Sequence, residues 1–267
     1  MLSALEAMRR RLAATGRDEP FPGVSHYEGA LRALHRMPRI ARRVAPILQS
    51  TAGELIRYPY RPLPPELLER WAGRVVSSFV SELIEVGRPP EVLPPIIVAT
   101  HRSALDILVL LSRTPGRFLA RHDLADWLVV GPLARAAGTH FVERGNPDSG
   151  RAALRALRAL VAQGERVILF PEGGTATGPS VGPLKGGALA LARVTGAPLL
   201  PVGIAYPPSL EYGQSDFLQH CAGLMSVPPA RVALVWGEAC SAQETSSEAL
   251  RQRLEALLGR AHQALEA

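Results

Sequence analysis

The chain has 267 residues, 47% of them apolar, which suffices for one sizeable core and is ordinary for a globular protein. Its two cysteines, Cys221 and Cys240, provide no disulfide framework, and no stretch approaches the ~18–20 apolar residues that span a bilayer. The formal charge of +6 sits wholly in residues 1–62, where eleven arginines face five acids, while residues 63–267 balance 19 basic against 19 acidic side chains. Aromatic residues make up 5% and none interleaves the arginines, so the stacking platform of a nucleic-acid binder is missing. The spacing of histidines and carboxylates gives no metal-ligand set, and the N-terminus lacks the charged-then-apolar order of a signal peptide. The expectation is a cytoplasmic protein in a reducing compartment.

Residues 1–14 read as a short amphipathic helix, with Leu2, Leu5, Met8 and Leu12 on one side. From Leu31 to Leu48, Leu31, Leu34, Met37, Ile40, Val44, Ile47 and Leu48 recur at helical spacing between Arg32, Arg36, Arg39, Arg42 and Arg43. Such a segment is either a helix packed on the main domain or an interfacial helix lying on anionic lipid. Pro59, Pro62, Pro64 and Pro65 mark a linker, dividing a basic helical region, 1–62, from a main domain, 63–267. Pro65–Val86 then reads as one long helix, with Leu68, Trp71, Val75, Phe79 and Leu83 in a row.

From Ile96 the pattern alternates between strand and helix. Strands are expected at 96–100, 117–121, 139–143, 166–170, 199–205 and 231–236, with helices at 104–112, 123–137, 148–163, 186–195 and 245–266. This alternation predicts an α/β fold, a mainly parallel sheet flanked by helices, preceded by the amphipathic N-terminal region. Sites in such sheets form beyond the carboxyl ends of strands, and His101, Arg144 and Glu172 each directly follow a predicted strand.

His101-Arg-Ser-Ala-Leu-Asp106 stands at the first of these strand ends. Ser103 is a suitable N-cap for the next helix, with Asp106 three residues on in a capping-box position. A tight turn folds Asp106 back onto His101, so that one ring nitrogen is held and the other takes a proton; otherwise Asp106 only caps the helix. Arg144 ends a strand beside Gly145, where a guanidinium either grips a phosphate or pairs with an acid such as Glu143. In Phe170-Pro-Glu-Gly-Gly-Thr175, Gly173 and Gly174 allow amides close to an anion, and Glu172 orients a hydroxyl or a basic group, or satisfies turn amides. Lys185, the only lysine, stands before glycines at a predicted helix start, an arrangement suited to anions and equally to a solvated side chain. Gly178-Pro-Ser-Val-Gly182 matches a hydrolase nucleophile elbow in letters, but prolines 179 and 183 place Ser180 in a loop.

Four blocks in order, HRSALD, FVERG at Phe141–Gly145, LFPEGGTATG at Leu169–Gly178 and PLLPVGIAY at Pro198–Tyr206, resemble the glycerolipid acyltransferase family, which includes the 1-acylglycerol-3-phosphate acyltransferases. The resemblance covers roughly Pro94 to Tyr206. It implies catalysis by His101 and Asp106, and substrate binding by Arg144, Glu172, Gly173, Gly174, Thr175 and Lys185, with Arg144 on the acceptor's phosphate. It implies acyl transfer from acyl-CoA or acyl-carrier protein, as co-substrate with no bound cofactor, to a lysophospholipid, foremost 1-acyl-sn-glycerol-3-phosphate. The enzyme would work on an anionic membrane surface, peripheral on the inner face of the cell membrane. Glycerol-3-phosphate or another lysolipid as acceptor, or a lipid-binding scaffold without activity, are the alternatives. Thr100 replaces the family's usual Asn before the histidine, and Gly174-Thr175 departs from the Arg-bearing form of the third block.

Overall fold

The computed structural model describes residues 62–88, 96–126, 130–143, 147–213 and 217–267, with short pieces at 45, 49 and 51–54. Nearly all of the basic region 1–62, including the amphipathic segment Leu31–Leu48 apart from Ala45, lies outside the described residues. So do Arg144 and Gly145.

The described elements run α1 (Pro65–Val76), β1 (Val80–Val86), β2 (Ile96–Ala99), α2 (Asp106–Leu111), β3 (Arg117–Arg121), a 3-10 turn at His122–Asp126, α3 (Val130–Ala136), β4 (His140–Val142), α4 (Pro147–Ala162), β5 (Val167–Leu169), α5 (Gly187–Thr195), β6 (Leu199–Ala205), α6 (Phe217–Ser226), β7 (Ala230–Trp236) and α7 (Ser247–Glu266). They build a seven-stranded sheet of order β1-β7-β6-β2-β5-β3-β4. Every pairing is parallel except β6 with β7, so the expected mainly parallel α/β architecture holds. The central strands are buried on both faces, which explains their continuous apolar composition.

Alternate residues of the central strands feed two cores. Ile97, Ala99, Leu200, Val202 and Ile168 pack with Leu68, Trp71 and Val75 of α1 and Val109–Leu111 of α2. Ile96, Val98, Val167 and Leu199 pack on the other face with Leu157 of α4, Leu191 of α5 and Leu250, Leu254 and Leu258 of α7. Helices thus cover both faces of one sheet, the standard solution for a sheet apolar on both sides.

The long helix expected over Pro65–Val86 stops at Val76, and Val80–Val86 is a strand instead. Ser77 Oγ donates back to Arg74 O at 2.8 Å, and a tightened last turn follows through Phe79. The free edge of β7 then recruits the apolar and β-branched residues of 80–86 in parallel register. Glu85 accepts from Trp236 Nε1 at 2.8 Å, and Glu82 pairs with Arg231. Helical periodicity was genuine there, but strand pairing outweighs local preference in such β-branched stretches. The helix expected at 123–137 also divides, into a 3-10 turn and the shorter α3, and α6 is an element the periodicity did not reveal.

Helix α7 lies so close to β6 that only glycine fits at position 203. A Cβ there would stand 2.4 Å from the carbonyl carbon of Leu257 and 2.6 Å from its oxygen, both rigid backbone atoms. Gly203→Ala should therefore cost about 1–3 kcal/mol of stability through overpacking. Urea unfolding is the check, and a wild-type midpoint would mean that α7 does not pack on β6 as described.

Candidate active site

Sheet order assembles the site. β2 lies between β6 and β5, so the carboxyl ends of three neighbouring strands release three segments at one edge. β2 releases Thr100–Leu105, β5 releases Phe170–Thr175, and β6 releases Tyr206 onward. Thr100 extends the β2–β6 ladder by one rung, its Oγ1 accepting the Ile204 N–H at 3.0 Å. The next residue is His101.

The imidazole of His101 lies flat against Phe170, with centroids 4.0 Å apart and planes 13° from parallel. Its Nδ1 is 2.7 Å from Asp106 Oδ2. The same oxygen accepts the backbone N–H groups of Arg102 at 2.7 Å and Ser103 at 2.9 Å. Asp106 is wholly buried, and three donors on one oxygen offset the desolvation of its charge. In the neutral ring, Nδ1 carrying the proton donated to the carboxylate leaves Nε2 an unprotonated acceptor. His101 retains 18% side-chain exposure, so Nε2 is reachable from outside.

Asp106 thus orients His101 and also reaches back to Ser103 N–H, as the carboxylate of a capping box does. The other half of that box is absent. Ser103 Oγ accepts from Leu105 N at 3.3 Å, and α2 starts at Asp106 with Leu105 as its N-cap and no side-chain cap. The expected N-cap at Ser103 is corrected accordingly, because Ser103 Oγ is taken up inside the turn.

Three residues of the site escape a reading of the sequence. Arg102 is fully buried. It donates to Glu172 Oε1 at 2.9 Å, to the His101 carbonyl at 3.1 Å and to the Ser180 carbonyl at 2.8 Å. Tyr206, at the end of the fourth block, is fully buried near Asp106. Burial first, then the Asp106 charge, pushes its phenol well above the usual range. His220, on α6, contacts the turn at Ser103 and Ala104. Arg102 lies inside the first block, but nothing in the block sets it apart from a solvated arginine. His220 is a lone histidine far along the chain, and no spacing signals it.

Glu172 sits at the end of β5 and serves the interior. Its Oε1 takes His101 N–H at 3.2 Å and the Arg102 guanidinium, and its Oε2 accepts Gly182 N–H at 3.3 Å. The third block is therefore fastened to the first, an attachment completed by Ala176 N–H on the His101 carbonyl at 2.9 Å. Gly173 adopts φ +73°, and the stem of Lys185 packs where its Cβ would stand, 3.0 Å from Cγ and Cε. Lys185 is exposed, so its ammonium stands at the rim of this loop. Gly174 has open space where a side chain would project, and Thr175 is half-buried. The structure brings His101, Asp106, Glu172, Gly173, Gly174, Thr175 and Lys185 to two adjoining strand ends. Arg144 lies outside the described residues; β4, the strand before it, is three places from β2, about 14 Å across the sheet at the usual spacing.

Among the described residues, no side chain at this edge is set up as a nucleophile. Ser180 lies in a loop well after β5 and before α5, without the strand-turn-helix of a nucleophile elbow, and burial pushes the Cys221 thiol up to about 11. Among the described residues, no group of three His, Cys, Asp or Glu side chains is placed to hold a metal. Among them, too, no helix is long and apolar enough to cross a membrane.

Residues 88–205 match the model of the Acyltransferase family. The chain is 32% identical over 171 residues to a lyso-ornithine lipid O-acyltransferase of Pseudomonas aeruginosa, covering 61% of this chain and 66% of that protein. It is 32% identical over 136 residues to a 1-acyl-sn-glycerol-3-phosphate acyltransferase of Neisseria meningitidis serogroup B, covering 50% and 53%. The chain thus spans between about half and two thirds of the length of these curated relatives. Its fold resembles the crystal structure of the 1-acyl-sn-glycerophosphate (LPA) acyltransferase PlsC from Thermotoga maritima, with a TM-score of 0.66 over 90% of this chain and 98% of that one, at 23% identity.

Removing the partner of a fully buried guanidinium leaves an uncompensated charge. Glu172→Ala should destabilise the protein by about 3–5 kcal/mol, whereas an exposed pair such as Arg231–Glu82 is worth at most about 1 kcal/mol. Chemical denaturation of the two alanine variants, Glu172→Ala and Glu82→Ala, measures the contrast. Equal midpoints would show that Arg102 is not held as described.

Proposed function

We propose that this protein transfers a fatty acyl group from a thioester to the free hydroxyl of a lysolipid. The observation that carries the proposal is His101, with Nδ1 held 2.7 Å from a buried carboxylate and Nε2 left open at the strand edge. Nε2 removes the hydroxyl proton as the oxygen attacks the thioester carbonyl. The tetrahedral adduct collapses, the carbon–sulfur bond breaks, and the imidazolium returns its proton to the departing thiolate. Asp106 stabilises the imidazolium in between. With no nucleophilic side chain set up among the described residues, the acyl group passes directly between substrates in a ternary complex. The donor is acyl-CoA or acyl-carrier protein, and nothing else need be bound.

The first acceptor proposed is 1-acyl-sn-glycerol-3-phosphate, giving phosphatidic acid, its phosphate taken by Arg144 and Lys185 with amides near Gly173 and Gly174. One sequence feature favours a second acceptor. Gly174-Thr175 replaces the arginine-bearing form of the block, and Lys185 is exposed at this rim, while Arg102 is committed to Glu172. A lysolipid without phosphate, such as the lyso-ornithine lipid named for the Pseudomonas relative, suits a rim with fewer cations. The basic region 1–62 is proposed to dock the enzyme on the anionic inner face of the cell membrane.

The test is thiol release from acyl-CoA and acyl-carrier protein, with a panel of lysolipids in vesicles at two salt concentrations. Wild type should release thiol only when acceptor is present, faster on anionic vesicles at low salt. His101→Ala should lose roughly two to four orders of magnitude in rate. Acceptor-independent release, or a purified His101→Ala protein with near-normal transfer, would sink the mechanism. Rates indifferent to lipid charge and salt would sink the docking.

A further inference from the structure

Every backbone donor in the catalytic turn can be traced. His101 N–H goes to Glu172, and Arg102 and Ser103 N–H go to Asp106. Leu105 N–H goes to Ser103 Oγ, and Asp106 N–H to the Ser103 carbonyl. The remaining donor, Ala104 N–H, leaves the turn altogether and finds His220 Nε2 at 3.1 Å. Ser103 Oγ is 3.2 Å from the same nitrogen. His220 lies on α6, beyond the segment 88–205 that matches the family, and is 5% exposed.

A backbone N–H only donates, so His220 Nε2 must be an unprotonated acceptor with its ring proton on Nδ1. Two further contacts fix it in place. The Tyr212 ring packs on the imidazole at 4.6 Å between centroids, and the Tyr212 N–H donates to the Arg102 carbonyl at 2.8 Å. The segment after β6 therefore clasps the turn on both sides of Ser103, whose own N–H is bound to Asp106.

We propose that His220 is a positioning residue for acyl transfer: as a neutral acceptor it fixes the Ser103–Ala104 peptide, and with it the closure of Asp106 on His101. This rests on the reading of the site as an acyltransferase. Were the imidazole protonated, Nε2–H would oppose Ala104 N–H, and the clasp would open. The surroundings disfavour that state. Burial, the largest cause, lowers the pKa of His220 from the usual value, and His101 adds to this, while Asp106 opposes it. Tyr212 contributes a ring face, and neighbouring Cys221 stays a neutral thiol. Because the folded value lies below the unfolded one, the clasp is intact above the ordinary histidine range and is lost as pH falls below it.

The experiment compares His220→Leu with His220→Gln, whose amide oxygen can accept from Ala104 without titrating. His220→Leu should lower kcat by about tenfold to a hundredfold with KM for the lysolipid little changed, the signature of misplaced rather than unbound reactants. His220→Gln should keep kcat within a few-fold of wild type and lose the most acidic limb of the wild-type pH profile. Wild-type kcat in His220→Leu, or a folded His220→Gln as impaired as a folded His220→Leu, overturns the proposal. Nitrogen-15 NMR of the full chain, with His220 assigned by its loss in the Gln variant, reads the tautomer whatever reaction is catalysed. Nδ1–H at neutral pH supports the proposal, and Nε2–H or imidazolium overturns it. If wild type shows no acceptor-dependent thiol release, the acyltransferase reading fails, and the NMR result still decides the clasp. If His220→Leu does not fold, the Gln variant and the spectrum decide.

Discussion

One carboxylate oxygen organises the site. Asp106 Oδ2 receives the His101 imidazole and two consecutive backbone N–H groups, all within 2.9 Å. The turn between β2 and α2 is too short to hold its own shape by a helix cap, and α2 indeed has none from a side chain. The buried charge replaces that cap. An ionised carboxylate without partners in this interior would be prohibitive, and the donors that make it tolerable are the same ones that set the turn. The shape of the turn and the proposed proton chemistry therefore rest on a single residue.

A second buried charge ties the His101–Asp106 turn to its neighbour. Arg102 and Glu172 bring the ends of β2 and β5 together inside the protein, where both ions have lost water. Such a pair gives little net stability relative to apolar packing, because desolvation consumes most of the attraction. Its effect is geometric. The guanidinium bonds the His101 and Ser180 carbonyls as well as Glu172, so the three loops keep one register. Phe170, anchored at the start of the same β5 loop, then supplies the flat surface on which the imidazole rests. The open edge at Nε2 is bounded by groups whose positions are determined from beneath.

Much of this was visible in the residues, and what was hidden has physical reasons. Strands β2, β5, β6 and β7 are short apolar runs between prolines, glycines and charges, and such runs admit little but a buried strand. Their central placement follows from the same composition. The His101–Asp106 pairing was legible because a strand end and a helix start leave only a tight turn between them. Strand β1 was not, since Leu83 continues the helical row of Leu68, Trp71, Val75 and Phe79, and only the free edge of β7 decides otherwise. Glu172 reads as a group that orients a hydroxyl or a basic group, or satisfies turn amides, and in the structure it holds both Arg102 and turn amides. Tyr206 and His220 act through space from segments that follow β6, and no sequence spacing encodes a contact across more than a hundred residues.

The central claim is that the charge of Asp106, through His101, drives proton removal. Replacing Asp106 by Asn keeps an oxygen for the backbone donors of the turn and removes the charge. The account predicts that kcat for acceptor-dependent thiol release falls by about two to four orders of magnitude in Asp106→Asn, in a protein that still folds. A folded Asp106→Asn variant with activity within a few-fold of wild type would contradict it.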